Sequence, residues 1–227
     1  MIDTPLISIA VPCYNRPETW QRLIASIDCR PDDIEIIFSD DASPQSKKIS
    51  EIINNFIKNS KYKIIYNINE KTLGFDGNLR KLINIATGKY ILFLGDDDLF
   101  IKNRCDDYIN FIKKNLKFKY ILRSYISTNS EGKIEYFKFL KQRSVIKSGE
   151  ESVAWLFKRS VTITGFTISR DEAIKYNTHL LDGTLLYQVF LMSQICLTND
   201  SIYYEIPVTE MVQSFNDDLP NFGNAEI

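Results

Sequence analysis

The sequence is poor in the residues that build most metal and disulfide sites. Its 227 residues include a single histidine, His179, which excludes any site that needs two histidines. The four cysteines are spread along the chain without a C-x-x-C pair, so we expect neither a zinc site nor a disulfide framework. Isolated thiols are typical of a reducing cytosol. We therefore predict buried or incidental free thiols at all four positions, which are Cys13, Cys29, Cys105 and Cys196.

Long apolar runs and a surplus of charge of one sign are also lacking. The longest apolar runs, such as residues 90–94, fall far short of the ~20 residues that span a bilayer. The first residues show no basic segment followed by a cleavage site, which argues against export. With 28 basic and 29 acidic side chains, we expect no nucleic-acid partner. The expected location is the cytoplasm, where any membrane association would be peripheral, at the inner face.

What the sequence does contain is a regular alternation of strand-like and helix-like segments. Short apolar runs at residues 7–11, 34–38, 63–66 and 90–94 are separated by stretches with helical spacing of apolar residues. Runs that are apolar on both faces predict a mainly parallel sheet covered by helices, an α/β fold. The helix before the fourth run is expected to end at Gly88, in a glycine cap. The length suits one α/β domain over residues 1–227.

The pattern changes in the second half, which we expect to be a smaller, mixed part of the domain. Two strand-like segments flank a hairpin turn at residues 129–132. The other predicted elements are helices at 150–157, 170–176 and 185–195 and strands at 162–169 and 202–206. The chain stops soon after residues 221–223 without an obvious closing helix, so it is either complete or lacks a membrane-associating tail.

Three consecutive aspartates, Asp96, Asp97 and Asp98, follow the fourth predicted strand. Carboxylates crowded on one turn repel one another, and their oxygens suit a hard divalent cation such as Mg²⁺ or Mn²⁺. Such a cation can bridge phosphates and stabilise a departing nucleoside diphosphate. The alternative is a solvated acidic turn ahead of the next helix. Because the turn closes a buried strand, we favour the metal site.

Polar residues also follow the first two strands. Asp40 and Asp41 end the second run, where a carboxylate can bind a base or a ribose hydroxyl, or can cap the next helix. The first run ends in Pro12-Cys13-Tyr14-Asn15-Arg16, in which Tyr14 offers a stacking face for a base. The alternative is an ordinary strand-to-helix turn. Parallel sheets bind ligands at the carboxyl ends of their strands, which brings these segments together.

A fourth polar segment, residues 74–80, opens the helix after the third strand and contains Asp76, Asn78 and Arg80. Glycines ahead of a helix let backbone N–H groups approach an anion. The spacing is not G-x-G-x-x-G, so a dinucleotide site is not supported. Arg80 either faces the ligand or is solvated.

Together, four segments resemble a known family. They read IAVPCYNR at residues 9–16, FSDDAS at 38–43, NEKTLGF at 69–75 and ATGKYILFLGDDD at 86–98. In this order and spacing they are similar to the family 2 glycosyltransferases, and most similar to the abequosyltransferase-like branch. The resemblance is specific over residues 6–100 and weaker over 101–210.

The resemblance implies a GT-A (Rossmann-like) fold, with residues 1–100 binding the donor and residues 101–227 binding the acceptor. It implies a nucleoside diphosphate sugar as donor, Mn²⁺ or Mg²⁺ as cofactor and inversion at the anomeric carbon. The acceptor would be a glycan or a lipid-linked saccharide in bacterial surface polysaccharide synthesis. By family pattern the donor site contains Pro12, Tyr14, Asn15, Arg16, Asp40, Asp41, Asp76, Asn78, Arg80, Asp96 and Asp97.

The metal motif departs from the family pattern in one position. The family's strand end reads Asp-x-Asp-Asp, and here Gly95 occupies the first position. Asp96 and Asp98 match the spacing of a DXD motif. Asp97 matches instead when the family motif is aligned on the end of the strand. The resemblance therefore implies a metal site among Asp96, Asp97 and Asp98 and leaves the individual ligands open.

A catalytic base is expected beyond the metal motif. Inverting transfer needs a group that takes the proton of the acceptor hydroxyl. The family places this carboxylate in an acidic pair before a helix, where this sequence has Leu181-Asp182. Asp182 is therefore the predicted catalytic base, with His179 second and a helix-capping role as the alternative.

Two other classes of function are weighed against this one. A Mg²⁺-dependent nucleotidyltransferase would carry a glycine-rich basic loop after the first strand, where this chain has residues 12–16. A phosphohydrolase with an aspartate nucleophile would carry Asp-x-Asp on the first strand rather than the fourth. A non-catalytic nucleotide-sugar-binding module would have lost the metal carboxylates, which are present. The base, the donor sugar, the acceptor and the oligomeric state are left open.

Overall fold

The computed structural model describes residues 4–212, and its first half alternates strands and helices as predicted. Pro17 starts the first helix, where its fixed backbone angle suits a first helical position. The elements are β1 Ile7–Cys13, α1 Pro17–Ser26, β2 Ile34–Asp40, α2 Ser46–Asn59, β3 Lys63–Ile68, α3 Gly74–Ile85 and β4 Tyr90–Phe93.

The second half is mixed in direction and includes the predicted hairpin. Its elements are β5 Leu99–Phe100, α4 Cys105–Lys114, β6 Tyr120–Thr128, β7 Ile134–Phe137, β8 Ser144–Ile146, α5 Glu150–Phe157, β9 Phe166–Ser169, α6 Arg170–Lys175, α7 Tyr187–Thr198 and β10 Ser201–Val212. The predicted strand at 162–169 is shorter than expected, and β5 and β8 were not predicted.

All of these strands form one sheet, in the order β3-β2-β1-β4-β9-β6-β10-β5, with β7 on β6 and β8 on β10. The neighbours β3, β2, β1 and β4 are parallel, and β10 is parallel to β6. Strand β9 runs antiparallel to both β4 and β6 and joins the two halves. The carboxyl ends of β1, β2 and β4 therefore lie at the same edge of the sheet.

A hydrophobic core covers each face of the sheet. On one face Trp20 of α1 stacks on Phe38 of β2, with ring centroids 5.4 Å apart. On the other face α3 and α7 pack on the strands, and Phe93 lies beside Phe166, 6.3 Å between centroids. This burial fixes where β1, β2 and β4 end, which positions the polar residues that follow them.

The cysteine prediction is wrong for two of the four residues. Cys29 and Cys105 form a disulfide, with their Cα atoms 5.3 Å apart, while Cys13 and Cys196 are free and buried. The bonded pair is separated by 76 residues and joins the segment after α1 to the first residue of α4. Sequence spacing cannot reveal this pair, because the fold rather than the local sequence brings the residues together.

Gly88 does not cap α3, contrary to prediction. The helix ends at Ile85, and its C-cap residue Ala86 has an ordinary negative φ of −54°. Gly88 instead lies against β1, where an added Cβ would fall 2.6 Å from the backbone nitrogen of Ser8. The glycine is therefore required for close packing of two backbones.

None of the helices within residues 4–212 has both the length and the apolar character needed to cross a bilayer. Residues 221–223, which bear on the question of a closing helix, lie outside the part of the chain that the structure describes.

Candidate active site

The candidate site lies where β1, β2 and β4 end. The backbone N–H of Asp41 donates to the carbonyl of Cys13 over 2.9 Å, which joins the ends of β1 and β2. The backbone N–H of Tyr14 donates to Oδ2 of Asp96 over 3.2 Å, which joins the end of β1 to the turn after β4. The structure thus brings together the polar segments after β1, β2 and β4, and the fourth segment joins them through the hydrogen bond from the Gly74 backbone N–H to Asp41.

The loop after β1 presents an aromatic face to solvent. Asn15 has a positive φ of 52°, a conformation that asparagine tolerates better than most residues. Its backbone N–H donates to the hydroxyl of Ser43, and its side-chain carbonyl accepts from Gln45. Pro12 is buried in β1, whereas Tyr14 is left 50% exposed. A ring held at a strand end and open to solvent can stack on a base.

Arg16 lies between two of the three aspartates. Its Nη1 donates to Oδ2 of Asp97, and its Nη2 lies 2.5 Å from Oδ1 of Asp96. The Asp96 side chain is fully buried, while the Asp97 side chain is 18% exposed and that of Arg16 is 27% exposed. The guanidinium therefore offsets part of the negative charge of the turn, and it remains partly exposed.

Asp98 is buried and is held by partners other than Arg16. Its carboxylate accepts hydrogen bonds from the Thr164 hydroxyl over 2.5 Å and from the backbone N–H groups of Gly95 and Val212. These contacts tie the turn after β4 to β10 and to the segment before β9. Gly95 is needed here, because an added Cβ would lie 2.7 Å from Oδ2 of Asp98.

The three carboxylates carry more negative charge than their surroundings readily accommodate. Burial raises the pKa of Asp96 to about 7, with Arg16 opposing the shift and Asp97 adding to it. Burial and the nearby charge of Asp97 likewise raise the pKa of Asp98 to about 7. Burial acts to lower the pKa of Arg16, but the aspartates outweigh it and the pKa is raised. A cation at this turn is electrostatically favoured.

The carboxylates alone do not form a three-ligand metal site. Within residues 4–212 no three acidic, histidine or cysteine side chains are grouped so that they could hold a metal ion. However, Oδ1 of Asp96 is buried, and its one contact with a polar group is the ion pair with Arg16, 2.5 Å away. Mg²⁺ is commonly bound by one or two carboxylates together with substrate phosphates. Asp96 and Asp97 fit this arrangement better than Asp98.

Asp40 and Asp41 hold neighbouring backbone and side chains in place. Asp40 accepts hydrogen bonds from the backbone N–H and the hydroxyl of Ser43 and from the Tyr66 hydroxyl. Asp41 accepts from the backbone N–H groups of Leu73 and Gly74, 2.8 and 2.9 Å away, at the start of α3. A carboxylate there is stabilised by the helix dipole. Both aspartates are buried, so their contact with a ligand stays a prediction.

Asp76 and Asn78 are also buried, in the first turns of α3. Asp76 accepts hydrogen bonds from the backbone N–H groups of Gly183, Leu185 and Tyr187, at 2.9, 2.9 and 3.2 Å. Asn78 donates to the carbonyl of Ser39 over 2.8 Å. These contacts hold neighbouring segments together, and the role of both residues in donor binding stays a prediction.

Asp182 is paired with Arg80 of α3. Nε and Nη2 of Arg80 donate to the two carboxylate oxygens over 2.8 and 2.5 Å, and His179 Nδ1 lies 3.5 Å from Oδ2. Helix α7 begins at Tyr187, after Leu186, without a side-chain cap. Asp182 therefore does not cap this helix, so the alternative role considered for it is wrong.

Sequence reasoning missed two residues that shape the site. Ser43 connects Asn15 to Asp40, and it lies inside the FSDDAS segment, where its position beside two aspartates was a usable signal. Thr164 reaches Asp98 from the second half of the chain, 66 residues away, and no local pattern marks it.

Comparisons with known proteins agree with this architecture. Residues 8–176 match the family model described as Glycosyl transferase family 2. An uncharacterized glycosyltransferase of Methanocaldococcus jannaschii is 30% identical over 185 residues, which are 77% of this chain and 59% of that protein. The abequosyltransferase RfbV of Salmonella typhimurium is 37% identical over 101 residues, 43% of this chain and 30% of that protein. The chain thus spans only part of the length of these relatives.

Solved structures of TarS from S. aureus share the fold. In complex with UDP, TarS superposes with a TM-score of 0.70 at 19% identity, covering 92% of this chain and 60% of TarS. In complex with UDP-GlcNAc the TM-score is 0.69 at 18% identity, covering 93% and 59%. The predicted GT-A fold is confirmed. Since the family model matches most of the chain, the protein belongs to glycosyl transferase family 2.

Proposed function

We propose that this protein transfers a sugar from a nucleoside diphosphate sugar to a hydroxyl of a glycan or lipid-linked acceptor, with inversion at the anomeric carbon. The observation that carries the proposal is the cluster of Arg16, Asp96 and Asp97 at the strand end that also holds Tyr14, whose backbone N–H donates to Asp96 and which is half exposed. The ring suits a base, and the charged cluster suits a diphosphate with a cation. TarS, which has this fold, has been solved with UDP and with UDP-GlcNAc.

The donor would lie along the edge formed by β1, β2 and β4. Tyr14 would stack on the base, with Pro12, Asn15, Asp40 and Asp41 around the nucleoside. Arg16 would meet the diphosphate, because guanidinium groups bind phosphate with two parallel hydrogen bonds. Mn²⁺ or Mg²⁺, held by Asp96 and Asp97, would supply positive charge to the leaving group. Helix α3 would place Asp76, Asn78 and Arg80 near the donor.

Asp182 would act as the general base. As the acceptor oxygen bonds to the anomeric carbon, its O–H proton passes to the Asp182 carboxylate. The bond from the anomeric carbon to the diphosphate oxygen breaks, and its electron pair leaves with the nucleoside diphosphate. The Asp182 side chain is 33% exposed, so an acceptor can reach it. A single displacement of this kind inverts the configuration.

The acceptor and the location are inferred from the relatives and from donor supply. The resemblance to an abequosyltransferase of Salmonella typhimurium supports a role in bacterial surface polysaccharide synthesis. Nucleotide sugars are cytoplasmic metabolites, so we place the reaction in the cytoplasm, with peripheral association at the inner face of the membrane.

Calorimetry with UDP-, GDP-, CDP- and dTDP-sugars, with and without Mn²⁺, tests donor binding directly. We expect one base to bind, more tightly with Mn²⁺, and Tyr14→Ala to weaken binding roughly 5- to 150-fold, as expected for loss of base stacking worth ~1–3 kcal/mol. Tyr136→Ala is the matched control, because Tyr136 is an exposed tyrosine in β7. Equal affinity in wild type and Tyr14→Ala would contradict the assignment of the base site.

Product analysis tests the reaction itself. NMR of the glycoside formed from the donor that binds should show the opposite anomeric configuration, together with one nucleoside diphosphate released per bond formed. Retention of configuration would rule out the single displacement at Asp182. Failure of every nucleotide sugar to bind would overturn the proposed function as a whole.

A further inference from the structure

The position of Arg16 conflicts with that of a divalent cation. Its guanidinium contacts carboxylate oxygens of both Asp96 and Asp97, and Oδ1 of Asp96 has only this charge contact. These are the same oxygens that would hold Mn²⁺ or Mg²⁺. A guanidinium and a dication at one pair of carboxylates repel each other strongly in a partly buried site. The two cations therefore compete for this turn.

The donor offers Arg16 another partner. A diphosphate presents oxygens that accept two parallel hydrogen bonds from one guanidinium. The Arg16 side chain lies at the start of α1 and is 27% exposed, so it faces the open side of the site. Asp96 is fixed by the Tyr14 backbone N–H and by burial, so the arginine is the group that can leave.

We propose that Arg16 is an internal counterion that occupies the cation position until the donor arrives. On donor binding the guanidinium moves to the diphosphate and releases Asp96 and Asp97 to the metal. The inference rests on the proposed donor site. It predicts that the metal binds weakly to the protein alone and tightly when a nucleoside diphosphate is present.

Mn²⁺ binding to the nucleotide-free protein tests this, since it needs neither donor nor turnover. Free Mn²⁺ is measured by electron paramagnetic resonance in titrations of wild type, Arg16→Gln and Arg22→Gln. Arg22 is the matched control, because it is an exposed arginine on the same helix. We expect Arg16→Gln to bind Mn²⁺ at least tenfold more tightly than wild type, and Arg22→Gln to behave as wild type.

Two further variants sharpen the test. Asp97→Asn in the Arg16→Gln background should abolish the gain in Mn²⁺ affinity, which shows that the new ion sits at this turn. Arg16→Lys keeps a positive charge without the two-pronged group and should lie between wild type and Arg16→Gln. It also replaces Arg16→Gln if the neutral variant does not fold.

The same Mn²⁺ titrations are then made in the presence of a nucleoside diphosphate. With saturating nucleoside diphosphate, of the base selected by calorimetry, wild-type affinity for Mn²⁺ should rise at least tenfold, while Arg16→Gln should gain less. Equal or weaker Mn²⁺ binding by nucleotide-free Arg16→Gln, relative to wild type, overturns the inference. That outcome leaves the proposed transfer standing if donor binding and inversion are still observed.

Discussion

Arg80 and Asp182 form a two-point ion pair across 102 positions of the chain. Arg80 belongs to α3, beside the proposed donor site, and Asp182 belongs to the segment ahead of α7. Hydrogen bonds from Arg80 hold the pKa of Asp182 below its usual value, and His179 lowers this pKa further. Partial burial acts in the opposite direction but is outweighed. The pair therefore fixes both the position and the charge of the predicted base.

Asp182→Asn should slow turnover strongly and leave the donor site intact. Asparagine keeps the size of the side chain but cannot accept the acceptor proton, so we expect kcat to fall about 10²–10⁴-fold. Donor Kd by calorimetry should be unchanged. Asp171→Asn, at an exposed aspartate in α6, is the control. Transfer at close to the wild-type rate would remove Asp182 from the mechanism.

Arg80→Gln separates a positioning role from donor binding. If Arg80 orients Asp182, kcat should fall while the donor Kd stays constant. The pKa of Asp182 should rise toward its ordinary value, about 3.9, once the arginine is gone. Because the base must be ionised, activity is lost as pH falls through this pKa, and the acid limb of the rate profile should move to higher pH. A large loss of donor affinity with an unmoved acid limb would instead assign Arg80 to the donor.

Asp76→Asn should loosen the segment that carries Asp182. The carboxylate accepts three backbone N–H groups, those of Gly183, Leu185 and Tyr187, and an amide cannot accept all of them equally. We expect faster hydrogen exchange over residues 183–187 and a stability loss of about 1–3 kcal/mol. Asp106→Asn, in the first turn of α4, is a control. Unchanged exchange in this segment would show that other contacts hold it.

The sequence predicted the strands and helices of the first half better than those of the second half. In the first half, buried runs and helical periodicity predicted the alternation of strands and helices, and the strand ends carried the polar segments. Strands β5 and β8 are two and three residues long and pair with distant β10, so no local pattern predicted them.

The sequence predicted which residues lie at the site better than it predicted which residues they contact. The partners of Asp76 lie 107 to 111 residues away, and Arg16 was predicted to bind the donor without its contact to the aspartates being foreseen. Such contacts depend on how helices pack on the sheet. Periodicity specifies which face of a helix is buried, but not which side chain from another segment meets it.

The Cys29–Cys105 bond should be present in protein purified without reductant. Mass spectrometry after alkylation of the unfolded, unreduced chain should show two modified cysteines, Cys13 and Cys196. Reduction should expose four and lower stability by roughly 2–5 kcal/mol, because the bond closes a long loop. A reducing cytosol opposes such a bond, so its state in freshly lysed cells also tests the predicted location. Four modified cysteines without reductant would contradict the bond.

The last prediction concerns Glu35, at the opposite end of β2 from the site. Its buried carboxylate accepts hydrogen bonds from the Ser8 hydroxyl, the Thr87 backbone N–H and hydroxyl, and the Lys63 ammonium, at 2.6 to 2.8 Å. Burial alone would raise the pKa of Glu35, but the hydrogen bonds from Lys63, Ser8 and Thr87 outweigh it, and the pKa is lowered. The ionised form is therefore stabilised in the folded state.

Glu35→Gln should destabilise the fold by about 1–3 kcal/mol at pH 7, since buried donors lose their acceptor. A carboxylate whose pKa is lowered by folding stabilises the folded state at pH values above its pKa in the unfolded chain, about 4.3. This stabilisation is lost as the pH falls through the pKa of the folded state. The difference between wild type and variant should therefore shrink below about pH 4.3. Urea unfolding at pH 7, 5 and 3.5 measures this, with Glu51→Gln, an exposed position on α2, as the control. A difference that stays constant across this range would mean that the Glu35 charge contributes nothing, and that the variant suffers only from altered packing.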